Sequence, residues 1–280
     1  MSDLPPLSLT TVRARISEET PRDLRGVDLL AADLASRLGQ EPAAIEGRRA
    51  PFGRTPWRED LPASDAVLRA AGARAADAVR AGAVPVTLAS DCSLAIGTLP
   101  AVAREVAGLR VLWLDAHADY DTPETETVDF LGCMSLGGAC GAWETGHGTI
   151  DPQQVVHVGA RAPEGDFDYA GQEQGRAELG AMLPARAPVA EVLAALGDGP
   201  LYVHLDPDVL DPSVNPIHYG RPGGLGAEEL LALLRAVRAH APVVGFELTA
   251  FHSADDEPTR ARVCALLGDA IETLAGRSPN

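Results

Sequence analysis

Short apolar runs punctuate the chain, and between them apolar residues recur at intervals of three and four. The runs at residues 84–89, 109–114, 155–158, 201–205 and 243–248 are apolar at most positions. That is the pattern of strands buried on both faces of a parallel sheet. The stretches 65–81, 94–106, 227–239 and 257–274 carry Ala, Leu and Arg at helical spacing. Strand and helix alternating in this way predict an α/β fold around a central, mainly parallel sheet. Residues 48–63, 90–93 and 159–175 read as loops. No repeat, low-complexity tract or linker breaks the pattern, so residues 1–280 are expected to form a single domain.

Composition narrows the partners. The 280 residues carry a formal net charge of −17, and every basic side chain other than His is Arg. An acidic chain without a basic cluster is a poor fit to nucleic acid, which needs Lys and Arg against its phosphates. Its field attracts cations instead. No apolar stretch reaches the about 18 residues that cross a bilayer, and residues 1–13 lack the basic start and apolar run of a secretory signal. Neither membrane insertion nor secretion is expected. Cys92, Cys133, Cys140 and Cys264 form no CxxC pair, so free thiols and a cytoplasmic location are expected.

The candidate chemistry sits just after the apolar runs, where the crevice of a parallel sheet takes ligands. Asp115-Ala116-His117-Ala118-Asp119 follows the run 109–114, and Asp206-Pro207-Asp208-Val209-Leu210-Asp211-Pro212 follows the run 201–205. Residues two apart in extended chain share a face, so Asp115 with His117, and Asp206 with Asp208, can point the same way. Ionisable groups packed this densely at buried strand exits are costly unless paired or metal-bound. Carboxylates with an imidazole suit a hard or borderline divalent ion. Ser90-Asp91-Cys92-Ser93 follows a third run, and Glu247 lies in the last one. A carboxylate such as Glu247, facing the crevice, could pair with a planar guanidinium.

From residue 84 to the C-terminal helix the chain resembles the ureohydrolase family of arginases and agmatinases. The resemblance rests on the DAHAD and DPDVLDP motifs and on Glu247. It implies a three-layer αβα domain, a homo-oligomer (trimer or hexamer), and two divalent ions, manganese above all, acting on a small guanidino substrate. Carried over by position, Asp115 and Asp206 are expected as bridging ligands, Asp119 as a further ligand of one ion, and His117 and Asp208 as ligands of the other. Glu247 is implied as the guanidinium-binding residue, and Asp119 or Asp208 as the carrier of a proton to the leaving amine.

The chain also departs from the family pattern. Cys92 stands where the family has a His ligand, and a thiolate brings Zn²⁺ or Fe²⁺ into consideration. Gly132 occupies the place of an arginase His that relays protons. These departures are similar to those of a branch that cleaves Nω-hydroxy-L-arginine. Asp121 and Val128 stand where arginases have an Asn and a Ser, and an anion there would repel a substrate carboxylate. Glu164, Asp166 and Asp168 follow Gly159-Ala160-Arg161 and are candidates for a substrate ammonium. His147 is a candidate relay, His204 is expected beneath the site, and His252 at the crevice. His157, His218 and His240 read as structural or exposed. Two alternatives stay open: an inactive member that binds a guanidino ligand, and a single-zinc deacetylase-like hydrolase.

Overall fold

The computed structural model describes residues 4–277 of the protein; residues 1–3 and 278–280 of the expected single domain lie outside the described residues. Eight strands form one wholly parallel sheet: β1 (Leu7–Arg13), β2 (Ala43–Glu46), β3 (Val84–Leu88), β4 (Arg110–Leu114), β5 (Val155–Val158), β6 (Ala181–Leu183), β7 (Leu201–Leu205) and β8 (Val243–Leu248). Their order is β2-β1-β3-β8-β7-β4-β5-β6. The helices are α1 (Pro21–Leu38), α2 (Trp57–Arg80), α3 (Ala95–Ala103), α4 (Ser135–Cys140), α5 (Tyr169–Glu178), α6 (Val189–Leu196), α7 (Ala227–His240) and α8 (Glu257–Leu274).

Alternation along each strand sends side chains to two separate cores. Leu112, Leu114, Val203, Leu205, Phe246 and Leu248 meet α1, α6, α7 and α8 on one face. Val111, Trp113 and Tyr202 face α2, α3 and α4 on the other. The result is the three-layer αβα arrangement. Chain order reverses direction at the centre. The chain leaves β3 and skips two places to β4; β7 and β8 later fill the gap. The carboxyl ends of β3, β8, β7 and β4 therefore lie side by side at the switch point where such sheets take ligands.

Three stretches carry regular structure that the pattern of apolar positions does not predict. Residues 7–13 form a strand inside the sheet, paired with β2 and β3. Residues 57–63, part of the stretch 48–63 that reads as loop, belong to α2, which contains Pro62. A proline there removes one helical hydrogen bond. The segment is held nonetheless, because Asp60 is fully buried against Arg15 and Arg48, and Ser64 donates to the Ile16 carbonyl at 3.2 Å. Likewise α5 begins inside the stretch 159–175 that reads as loop.

Candidate metal centre and substrate cavity

Asp115, His117 and Asp119 leave the end of β4, and Asp206 and Asp208 leave β7. Backbone hydrogen bonds tie each exit to its neighbour: Asp206 N donates to the Leu114 carbonyl at 2.9 Å, and Asp115 N to that of Val158 at 3.2 Å. Gly159 follows β5 at φ +125°, where a Cβ would lie 2.2 Å from the Asp115 carbonyl oxygen, so only glycine lets the strands close up there. Asp119 itself sits at φ 51° and turns the chain back over the site; Asp is one of the few side chains that tolerates this region. All five residues line one cavity of about 300 Å³, with Cys92.

The ligand atoms converge. The Cys92 thiol lies 3.2 Å from Asp206 Oδ2 and 4.0 Å from Asp115 Oδ2. His117 Nδ1 lies 2.7 Å from Asp208 Oδ2 and 3.7 Å from Asp115 Oδ1. Ligand atoms of Asp115, His117 and Asp208 fall within 4.8 Å of one another, as do those of Cys92, Asp115 and His204. His204 is a poor ligand, because its ring nitrogens face Glu247 at 2.8 Å and Thr249 at 3.2 Å and its ring stacks on Trp113. Asp206, in contact with the sulfur, is the better third donor beside Cys92 and Asp115. Asp119 has one side-chain hydrogen-bond partner among the described residues, Ser135, at 2.9 Å.

The electrostatics match a cation site. Burial, and then the charge of Asp208, push the Asp115 carboxyl up to about 7. Burial and neighbouring aspartates hold Asp119 and Asp206 well above the carboxylate range. Burial also opposes ionisation of Asp208, but the His117 charge and hydrogen bond outweigh it and bring this group down to about 2. Burial, then Asp206, Asp119 and Asp115, push the Cys92 thiol upward. A desolvated cluster of carboxylates with one imidazole lacks positive charge. Divalent ions among these donors would supply it, so the residues present fit the two-ion group.

Other expected residues sit elsewhere. Glu247 does not face the cavity. It is buried beneath the site, where Thr98 (2.6 Å) and Tyr202 (3.0 Å) donate to Oε2 and His204 meets Oε1. Asp121 is fully buried behind the wall and accepts from Thr125 Oγ1 at 2.8 Å. Asp166 is gripped by two nitrogens of Arg221 at 2.6 and 2.9 Å. Asp168 accepts the Ala118 N–H with both oxygens, and Glu164 is exposed and off the cavity. His147 lies 3.2 Å from Asp65 and away from the cavity. Gly132 and Val128 do line the cavity; a Cβ on Gly132 would lie 2.3 Å from the Phe130 ring, which fills the place a side chain would take.

His252 lines the cavity, and so does His218, which corrects its reading as structural or exposed. Further parts of this wall, among them Glu18, Glu19, Asp23, Tyr219 and Ala250, carry no signal in the sequence. Nothing in the spacing of Ser17-Glu18-Glu19-Thr20 marks it as part of a cavity.

Parallel strand exits that gather aspartates, an imidazole and a thiol around one cavity define an α/β protein with groups that could hold a metal ion at the sheet's carboxyl edge. The profile described as the arginase family matches residues 21–271. The chain is 32% identical to an N(omega)-hydroxy-L-arginine amidinohydrolase of Streptomyces lavendulae, over 95% of this chain and 96% of that one. It is 31% identical to an arginase of Brucella melitensis, over 88% and 87% of the two chains. The crystal structure of an arginase from Bacillus cereus superposes with a TM-score of 0.79 at 21% identity, covering 98% of this chain and 100% of that one. The chain belongs to the arginase family and is a hydrolase of that family.

Proposed function

We propose that the protein, as one domain, hydrolyses the C–N bond of a guanidino compound at a pair of divalent cations. Water adds across the bond, and the products are an amine and urea, or a substituted urea when the guanidino group carries a substituent. The observation that carries this reading is Asp115, whose carboxylate oxygens reach both Cys92 and His117. A carboxylate shared by two donor groups suits paired ions. Asp115 and Asp206 would lie between them, Cys92 and Asp119 on one side, His117 and Asp208 on the other. Oxygen-rich donors favour Mn²⁺, with Zn²⁺ or Fe²⁺ as the alternatives the thiol allows. When bound, such ions polarise a water and lower its pKa.

The chain's own residues do the remaining work. Asp208, held by the Ala116 N–H at 2.8 Å and by His117, stays ionised. Asp119, whose carboxylate accepts from Ser135, can carry a proton to the departing amine. Phe130, Phe167 and Tyr219 add aromatic surface to the cavity wall. With Gly132 in place of a relaying side chain, a guanidino group activated by an electron-withdrawing hydroxyl fits best. The near full-length similarity to a relative named for Nω-hydroxy-L-arginine supports trying that substrate first. We further propose a cytoplasmic homo-oligomer, trimer or hexamer, which mass photometry would count.

The test is reconstitution with Mn²⁺, metal counting by mass spectrometry, and a panel of L-arginine, Nω-hydroxy-L-arginine and agmatine read out as urea or hydroxyurea. We expect two ions per chain and turnover of one panel member. Asp206→Ala should lose bound metal and at least 100-fold in kcat, and Cys92→Ser should change metal occupancy. A single ion per chain would reject the paired site. Full urea release by Asp206→Ala would reject the site as drawn.

A further inference from the structure

Glu247 is buried beneath the site, and no residue of the last strand lines the cavity; beyond its end only Ala250 and His252 do. The carboxylate that meets the guanidinium must come from elsewhere. Outside the ligand set, Glu18, Glu19, Asp23 and Asp91 line the cavity. Three of these are engaged. Asp91 accepts from Ser17 Oγ at 2.6 Å and from Ser93 N at 2.8 Å. Asp23 faces His252 Nδ1 at 3.1 Å, and Glu19 accepts from Arg54 Nε at 2.8 Å.

Glu18 is different. It is 4% exposed; its Oε2 accepts the Ile16 N–H at 2.9 Å, while its buried Oε1 has no hydrogen-bond partner. A desolvated carboxylate oxygen without a donor is costly in a folded protein, and such groups are rare without a purpose. Its position is also fixed. Arg15 donates from Nε to the Glu18 carbonyl at 3.0 Å, and its Nη1 is anchored on Asp60 at 2.6 Å in a fully buried ion pair. The charge on Arg15 is thereby spent on Asp60, leaving the Glu18 carboxylate without a cation.

We infer that Glu18 is the residue that binds the substrate's guanidinium, its free Oε1 accepting a hydrogen bond from a guanidino N–H. The inference rests on the hydrolase reading above. The contact uses one oxygen, because Ile16 occupies the other. It is a charge-assisted hydrogen bond to a buried carboxylate oxygen, the strong kind. The aromatic side chains Phe130, Phe167 and Tyr219 in the same cavity suit a planar, weakly hydrated cation.

The test uses the Mn²⁺-loaded protein, its best panel substrate, and that substrate's amine product, which lacks the guanidino group. Glu18→Gln should raise KM for the guanidine at least tenfold, change kcat less, and leave metal content at the wild-type level. Its affinity for the amine product, measured by calorimetry, should stay within twofold. Glu18→Asp, with the charge kept but withdrawn by one methylene, should raise KM at least threefold, and carries the test if Glu18→Gln fails to fold. A KM within twofold of wild type in the folded variant, or a parallel loss of affinity for the amine, overturns the inference while the hydrolase reading stands. If the loaded wild-type protein neither binds nor cleaves any guanidine of the panel, the hydrolase reading falls and takes this inference with it.

Discussion

A side chain kept for binding leaves a mark on stability as well as on KM, and Glu18 illustrates it. Burial first, then the charge of Asp91, with a smaller push from Asp23, raise its carboxyl from 4.5 to about 8; backbone hydrogen bonds from its own residue and Ile16 oppose the shift only in part. Between those two values the folded protein holds a proton that the unfolded chain has released. Stability therefore falls as pH rises through this window, and the penalty is complete above the folded value. Glu18→Gln cannot ionise and escapes the penalty. In urea denaturation of the metal-free protein, the variant should match wild type near pH 4.5 and exceed it at pH 9. A variant less stable than wild type at pH 9 would mean that the ionised carboxylate is already satisfied in the free protein. Gain of stability with loss of binding is the trade expected where a site is kept unsatisfied for its ligand.

At the scale of elements, the cavity wall depends on a short segment between β1 and α1 that has no regular structure of its own. Arg15 holds it by donating to the carbonyls of Ser17 and Glu18, and Asp60 of α2 holds Arg15. Downstream, Thr20 caps α1 and Pro21 starts it, which fixes where Asp23 enters the cavity. Removing Asp60 would leave a buried guanidinium without its partner. Asp60→Ala should lose about 3–5 kcal/mol of stability, the usual cost of breaking a buried pair from one side. It should also raise the guanidine KM, because Glu18 loses its support. Urea denaturation and steady-state kinetics read the two effects. A loss under about 1 kcal/mol, the level of a surface pair, would show that its remaining acceptors, the carbonyls of Ser17, Glu18 and Gly53, or solvent compensate Arg15 fully.

The whole molecule adds a long-range effect. With a formal charge of −17, its field draws a cationic guanidine toward the cavity. Screening shortens the reach of that field from about 30 Å at 0.01 M salt to about 3 Å at 1 M. Added KCl should therefore lower kcat/KM for a cationic substrate several-fold while leaving kcat unchanged. A kcat/KM that ignores salt would mean that encounter does not limit the reaction. The described residues include no helix long and apolar enough to cross a membrane.

The buried strands were legible because a parallel sheet covered on both faces needs continuous apolar runs, and five of the eight strands have them. The carboxylates and imidazole after β4 and β7 were legible too, since charge at a buried strand exit is too costly to be accidental. β1 was not. Its Ser and Thr residues break the apolar run, yet pairing with β2 and β3 on either side satisfies its backbone and buries most of it. The face taken by Glu247 was decided by register. It pairs beside His204 and Thr87, on the layer of Tyr202, and so points into the sheet's flank and away from the cavity. The role of residues 15–23 belongs wholly to tertiary structure. Their placement depends on an ion pair between residues 45 positions apart, and local pattern carries no trace of a partner that distant. The sequence by itself determined the layers and the charged strand exits; packing between elements decided which carboxylates reach the cavity, because only packing determines which of them keep a free oxygen.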